Sequence, residues 1–168
     1  MPVGVSGFIG GDYIQSGSGV LEIGVLSSSA GGYGQLRVDG TADITGSDRV
    51  DVNVSANDLL VDGETIQDVL SAGTLVTGAE LTATDNSTLW DFTALNDGIN
   101  NIDLGVIRGL FVADAVRLTG PEWALGAATS LDAIIDEGAV GDMETVIGEL
   151  GTLSTEAQVS QAAAQMVP

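Results

Sequence analysis

Short runs in which every second residue is apolar set the strongest limit on what this chain can fold into. Leu21-Glu22-Ile23-Gly24-Val25, Val50-Asp51-Val52-Asn53-Val54 and Ile102-Asp103-Leu104-Gly105-Val106 each place their apolar residues on one side of an extended backbone. Period two is the pattern of a strand with one buried and one wet face. Asp39-Gly40, Asp62-Gly63 and Asp97-Gly98 are tight-turn dipeptides between such runs. Residues 1–118 therefore read as many short strands joined by turns. Leu36-Arg37-Val38-Asp39-Gly40 is echoed 23 residues on by Leu59-Leu60-Val61-Asp62-Gly63. That interval suits one coil of a solenoid, in which each unit buries its apolar face on the next. Two unrelated hairpins are the other reading.

The last strands form the largest apolar face. Trp90 and Phe92 lie two apart and share a side, as do Ile102, Leu104 and Val106, with Asn96-Asp97-Gly98 able to turn between them. These five residues are the expected capping and folding core.

After Thr119 the period changes. Pro121 suits a first helical turn, where its missing N–H has no partner to lose. Trp123, Ala127, Leu131, Ile134 and Ile135 follow helical spacing. Asp142 is placed to start a second helix and Gly151 to end it, and Ser154 to cap a third. Eight acids and no basic residue lie between Glu122 and Glu156. Short isolated helices are marginal in water, so residues 119–168 are expected to be the mobile part.

Composition removes whole classes of chemistry. The chain has 24 acidic residues against four arginines, a net charge of −20, and no Lys, His or Cys. Serine and cysteine nucleophiles lose their histidine base, Schiff bases and P-loops lose their lysine, and zinc, haem and iron–sulfur sites lose their usual ligands. So acidic a surface repels phosphate backbones and anionic lipids, which argues against nucleic-acid and membrane-surface partners. Paired carboxylates remain, at Asp48 and Asp51 or Asp136 and Glu137, but glycosidase sites need a cleft and sugar-stacking rings. With two Trp, two Tyr and three Phe, the chain is poor in such rings. Calcium is the stronger alternative, because Asp39, Asp43, Asp48 and Asp51 lie close in sequence and oxygen ligands suit it. No EF-hand spacing is present, and Gly31-Gly32-Tyr33-Gly34-Gln35-Leu36 has Gln where a calcium-binding nonapeptide needs Asp. The expectation is a non-enzyme without metal or cofactor. Asn53-Val54-Ser55 and Asn86-Ser87-Thr88 match the glycosylation acceptor pattern, which short polar turns reproduce by chance. No apolar run approaches the ~18 residues of a membrane helix. Met1-Pro2-Val3-Gly4 carries no secretion signal, and the chain reads as a fragment of a longer surface protein.

The order of segments resembles one known family. Gly11-Asp12-Tyr13-Ile14-Gln15, Leu21–Val25, Tyr33–Ala42, Asp62-Gly63-Glu64-Thr65, Asp85-Asn86-Ser87 through Leu89 to Asp91-Phe92, and Leu150–Ala162 are similar, in sequence order, to the C-terminal passenger end and pre-barrel linker of bacterial type V autotransporters. The similarity spans nearly the whole chain. It implies a mainly β fold, a right-handed parallel β-helix with a capping hairpin, followed by a short α-helical tail. It implies an autochaperone region at 1–118 and a linker at 119–168 toward a membrane β-barrel, whose own pattern is not in this sequence. The implied partners are the upstream passenger β-helix and the downstream barrel of the same polypeptide, the implied place is the cell surface of a Gram-negative bacterium or the medium, and the module itself is expected to be a monomer that does not insert in the membrane. Adhesion or self-association is the alternative role. High negative charge would keep the unfolded chain soluble in transit; a saline habitat would account for it equally.

Overall fold

A computed structural model describes residues 1–56 and 58–167. Nine strands come first: β1 (Ser6–Ile9), β2 (Tyr13–Ile14), β3 (Leu21–Val25), β4 (Gln35–Asp43), β5 (Arg49–Val54), β6 (Thr65–Val76), β7 (Thr82–Asp85), β8 (Trp90–Asn96) and β9 (Asn101–Arg108). Four helices follow: α1 (Val112–Thr119), α2 (Leu125–Glu137), α3 (Asp142–Gly151) and α4 (Glu156–Gln165). The strands form two sheets. The larger runs β1-β4-β6-β9-β8, with β2 also on β4, and the smaller runs β3-β5-β7. From β3 to β7 the chain alternates between them.

The alternation dictates the burial. Leu21, Ile23 and Val25 on β3, and Val50, Val52 and Val54 on β5, are buried while Glu22 and Asn53 face water. Leu21 lies beside Val50 and Ile23 beside Val52 in a parallel ladder, so like sits on like along the buried face.

The sheets and helices overturn the expected mainly β architecture, a right-handed parallel β-helix with a hairpin cap and a short tail. Parallel pairing holds for β1-β4-β6, but β9 runs antiparallel to both β6 and β8, so the larger sheet is mixed. The four helices share one continuous core with the sheets, and the fold is α/β. The 23-residue echo misled because its two copies do not pair. Leu36 on β4 lies beside Leu70, 34 residues on, whereas Leu59–Gly63 precedes β6 as irregular chain.

The helical segment is docked rather than loose. Val112, Ala115 and Val116 of α1, Ala128, Leu131 and Ile135 of α2, and Val159 and Ala163 of α4 are buried. Small side chains on α1 and α4 let the two helices approach closely, so little apolar bulk suffices to seat them. Helix α1 begins on the strand side of the boundary drawn at residue 118 and runs across it to Thr119. Trp123 stands outside the core at 63% exposure. Gly151 is the last residue of α3, and Thr155 rather than Ser154 caps α4, accepting from the Gln158 N–H at 3.2 Å.

One glycine is required by the close approach of β4 and β6. A methyl group on Gly73 would fall inside contact distance of the Asp39 carbonyl oxygen, which is backbone and cannot swing aside. Gly73→Ala is therefore expected to lose roughly 1–3 kcal/mol of unfolding free energy, the usual range for overpacking. Gly126→Ala, at a helical position with open space around it, is expected to be neutral or to gain up to about 1 kcal/mol. Urea denaturation of both variants checks this contrast.

Candidate functional site

The inward row of β9 reads Ile102, Leu104, Val106 and then Arg108. An arginine thus occupies a core position, with its side chain 2% exposed. Two aromatic faces sandwich it, with the guanidinium carbon 5.4 Å from the Trp90 ring centre and 5.2 Å from that of Phe111. Both separations suit cation–π attraction. Its Nη2 donates to Asp132 Oδ1 at 2.8 Å and its Nε to the Leu110 carbonyl at 2.7 Å. Burial pulls the guanidinium below its ordinary value, opposed chiefly by Asp132 and then by Asp136, Asp62 and Asp58. Arginine stays charged through such a shift.

Asp132 also orders the start of α1. Phe111, at the cap position, offers no side-chain acceptor. Asp132 Oδ1 accepts the Val112 N–H at 2.7 Å and Oδ2 the Ala113 N–H at 2.9 Å. A carboxylate there satisfies two unpaired donors and faces the positive end of the helix dipole.

Asp58 completes the junction from the segment after β5. It is 3% exposed, and its Oδ1 accepts from Trp90 Nε1 at 3.0 Å and from the Leu60 N–H at 3.3 Å. Its Oδ2 has no partner among the described residues. Burial pushes its carboxyl up to about 6 against the opposing pull of those two hydrogen bonds and of Arg108. Strand ends, an irregular segment and three helices thus meet at one buried ionic cluster.

The adjacent cavity, about 40 Å³ between Asp58, Ile135, Ala139 and Ile147, is of water size and far smaller than a metabolite pocket. The arrangement ties elements together; it offers no substrate a place to sit. The other arginine pairs, Arg37 with Asp39, Arg49 with Asp51 and Arg117 with Asp114, lie on the surface.

All five residues expected as the capping core are buried on β8 and β9: Trp90, Phe92, Ile102, Leu104 and Val106. Phe92 lies beside Val106, and the turn is held by Asp97 Oδ1, which accepts the N–H groups of Ile99 and Asn101 at 2.7 and 3.0 Å. The four acids weighed as calcium ligands do not converge. Asp43 accepts from Thr45 N–H and Oγ1, Asp48 from the Gly78 N–H, and Asp51 pairs with Arg49. Among the described residues no three acids are grouped to hold a metal ion. Asp48 Oδ1 and both Asp51 oxygens are engaged in these bonds, and Asp136 and Glu137 are exposed at the end of α2. The two asparagines of the acceptor pattern meet, Asn53 on β5 and Asn86 just after β7: Asn86 Nδ2 donates to Asn53 Oδ1 at 3.2 Å, and Asn86 Oδ1 accepts the Val54 N–H at 2.7 Å.

No protein-family model, curated protein or solved structure matches this chain.

Proposed function

We propose that the chain is a non-catalytic structural and folding module at the C-terminal end of an autotransporter passenger, displayed outside the outer membrane of a Gram-negative bacterium or released from it. One observation carries this reading: the two ends of the sheet system are unlike. At one end β1 and β2 in the larger sheet and β3 in the smaller are edge strands. The outer side of β1 and β2 is the open one, whereas the outer side of β3 is already taken: the Gly24 N–H donates to the Met1 carbonyl, the Gly24 carbonyl accepts the Gly34 N–H, and the Met1 amine donates to the Glu22 carbonyl. At the other end the β8–β9 hairpin stops parallel growth, and the helices join its core. A growing parallel sheet has no template for its first strand, and a pre-folded closed end supplies one. The upstream partner is the preceding part of the passenger, added on the β1 edge of the larger sheet. The downstream partner is a membrane β-barrel after α4. No described helix is long and apolar enough to cross a membrane. Phe8 and Ile14 stand exposed on the edge strands at 63% and 72%, which favours self-association as the second reading.

The complete reading frame tests the first reading directly. Upstream strand-forming sequence and a downstream barrel of about a dozen alternating strands are expected. A frame with neither sinks it. Size-exclusion chromatography across concentrations separates the second reading: a folding module stays monomeric, and a concentration-dependent dimer that Phe8→Ser abolishes favours association through the open edge.

A further inference from the structure

Asp58 is the one carboxylate of the junction left with an unsatisfied oxygen, and that oxygen faces the end of α3. A methyl group on Gly151, the last residue of α3, would lie 2.8 Å from Asp58 Oδ2, so the helix end and the carboxylate are in direct apposition. We propose that Asp58 is a proton-operated latch for α3: with the carboxyl protonated the helix is held on the strands, and with it ionised the seam between them loosens.

Charge at the seam gives the direction. The C-terminal end of a helix carries partial negative charge on its unpaired carbonyls. The last turn of α3 contains no basic residue to offset it. An ionised Asp58 therefore sets a full negative charge against a partial one in a dry environment, where such repulsion is poorly screened. The bonds that seat this end are few: Ser87 Oγ donates to the Gly151 carbonyl at 3.2 Å and Thr88 Oγ1 to the Leu153 carbonyl. The 40 Å³ cavity lies along the same seam, walled by Asp58, Ile135 of α2 and Ile147 of α3. An ionised carboxylate draws water, and opening this seam is the short way to admit it.

The groups around Asp58 sort into two signs. Trp90 Nε1 on β8 and the Leu60 N–H donate to it, and Arg108 on β9 is the positive charge. Arg108 is already committed to Asp132 on α2, with Asp136 on α2 and Asp62 before β6 also drawing on it. Arg108 is the smallest of the influences that favour the Asp58 carboxylate, and its Nη1 has no hydrogen-bond partner among the described residues. Asp85 on β7 reaches α3 only through Ser87, whose N–H it accepts at 3.0 Å, and burial with a push from Asp91 raises it to about 6 as well. Glu149 on α3 points to solvent.

A carboxyl that holds its proton to about pH 6 when folded, against about 4 when unfolded, contributes stability that is complete below pH 4 and is lost as pH rises through 6. The latch is thus closed in mild acid and open at neutral pH and above.

Hydrogen exchange of the 168-residue chain between pH 5 and 8, corrected for the intrinsic pH dependence of exchange, tests this. Protection of α3 is expected to fall by up to about tenfold across that range, because pH 5 lies only one unit below the folded midpoint, while β6 and β9 change little. Asp58→Asn keeps the acceptor for Trp90 and removes the titration, and is expected to hold α3 at high protection throughout. Asp85→Asn is expected to leave the slope in place. Flat protection in the wild type, a slope that persists in Asp58→Asn, or one abolished by Asp85→Asn alone overturns the latch. Should Asp58→Asn fail to fold, the carboxyl carbon of Asp58 in the wild type decides by NMR: a midpoint above 5 shared with the α3 amides supports the proposal, and one at or below 5, or one the α3 amides do not share, refutes it.

Discussion

Replacing Trp90 by Ala should lower the urea midpoint more than any other single truncation on the β8–β9 hairpin. The ring is 1% exposed, and deleting a buried aromatic side chain typically costs about 3–5 kcal/mol. Two further losses fall on the same site. Asp58 loses the Nε1 donor and is left with only the Leu60 N–H, and Arg108 loses one of its two aromatic faces. A domain of this size has about 5–15 kcal/mol in all, so the variant should be barely folded at 25 °C. Trp90→Phe separates the contributions: it keeps most of the apolar volume and removes the donor, and about 1–3 kcal/mol of loss is expected from the unpaired carboxylate. Thr93→Ala, on the wet face of the same strand, should stay within about 0.5 kcal/mol of wild type. Equal midpoints for Trp90→Ala and Thr93→Ala would contradict the packing described here. If the chain seeds folding of a displayed passenger, Trp90→Ala should also reduce surface protease resistance while leaving the barrel inserted.

What could be read ahead of the structure follows from the range of the forces involved. Period-two alternation is local, and it located β3, β5 and β9 and the inward faces of Trp90, Phe92, Ile102, Leu104 and Val106. Sheet partners are not local. Leu36 finds Leu70 rather than Leu59, because Leu59–Gly63 runs as irregular backbone ahead of β6 while its Asp-Gly signal imitates a repeat. The helices were visible from Pro121 onward, but α1 was missed: Val112-Ala113-Asp114-Ala115-Val116 reads equally as a strand, and its start is capped from 20 residues away by Asp132 rather than by a neighbour. The ionic junction had one sequence signal. Arg108 stands two residues after Val106, continuing the inward row of β9, and a charge in a core position needs a partner. Nothing in the sequence says which of 24 acids that partner is; only the docking of α2 does. Asp58 carried no signal at all, since neighbouring Leu59 is exposed and Leu60 buried in a segment without period.

The pair of Arg108 and Asp132 should behave as a cooperative unit, and its parts can be separated. Asp132→Leu leaves a buried guanidinium with no carboxylate and two N–H groups at the start of α1 without acceptors. Breaking a buried pair by removing one partner costs about 3–5 kcal/mol, and losing a helix cap about 0.5–2 kcal/mol. Arg108→Met on its own removes the cation beside Asp132, but Asp132 keeps both helix N–H donors, so the smaller of the two single losses is expected there. Combining them removes both charges at once. Were the pair merely an ion pair, the double variant should approach wild type, because apolar replacements of buried pairs are often neutral or stabilising. Here it should stop about 1–2 kcal/mol short, the worth of the lost cap, and the shortfall should appear as faster exchange at Val112 and Ala113 rather than along β9. A double-mutant cycle in urea gives the coupling, expected at about 3 kcal/mol or more, at or above the top of the range for residues sharing a network. Additive single losses would mean that the two charges stabilise the fold independently, and Asp132 would then be a helix cap that happens to lie beside an arginine.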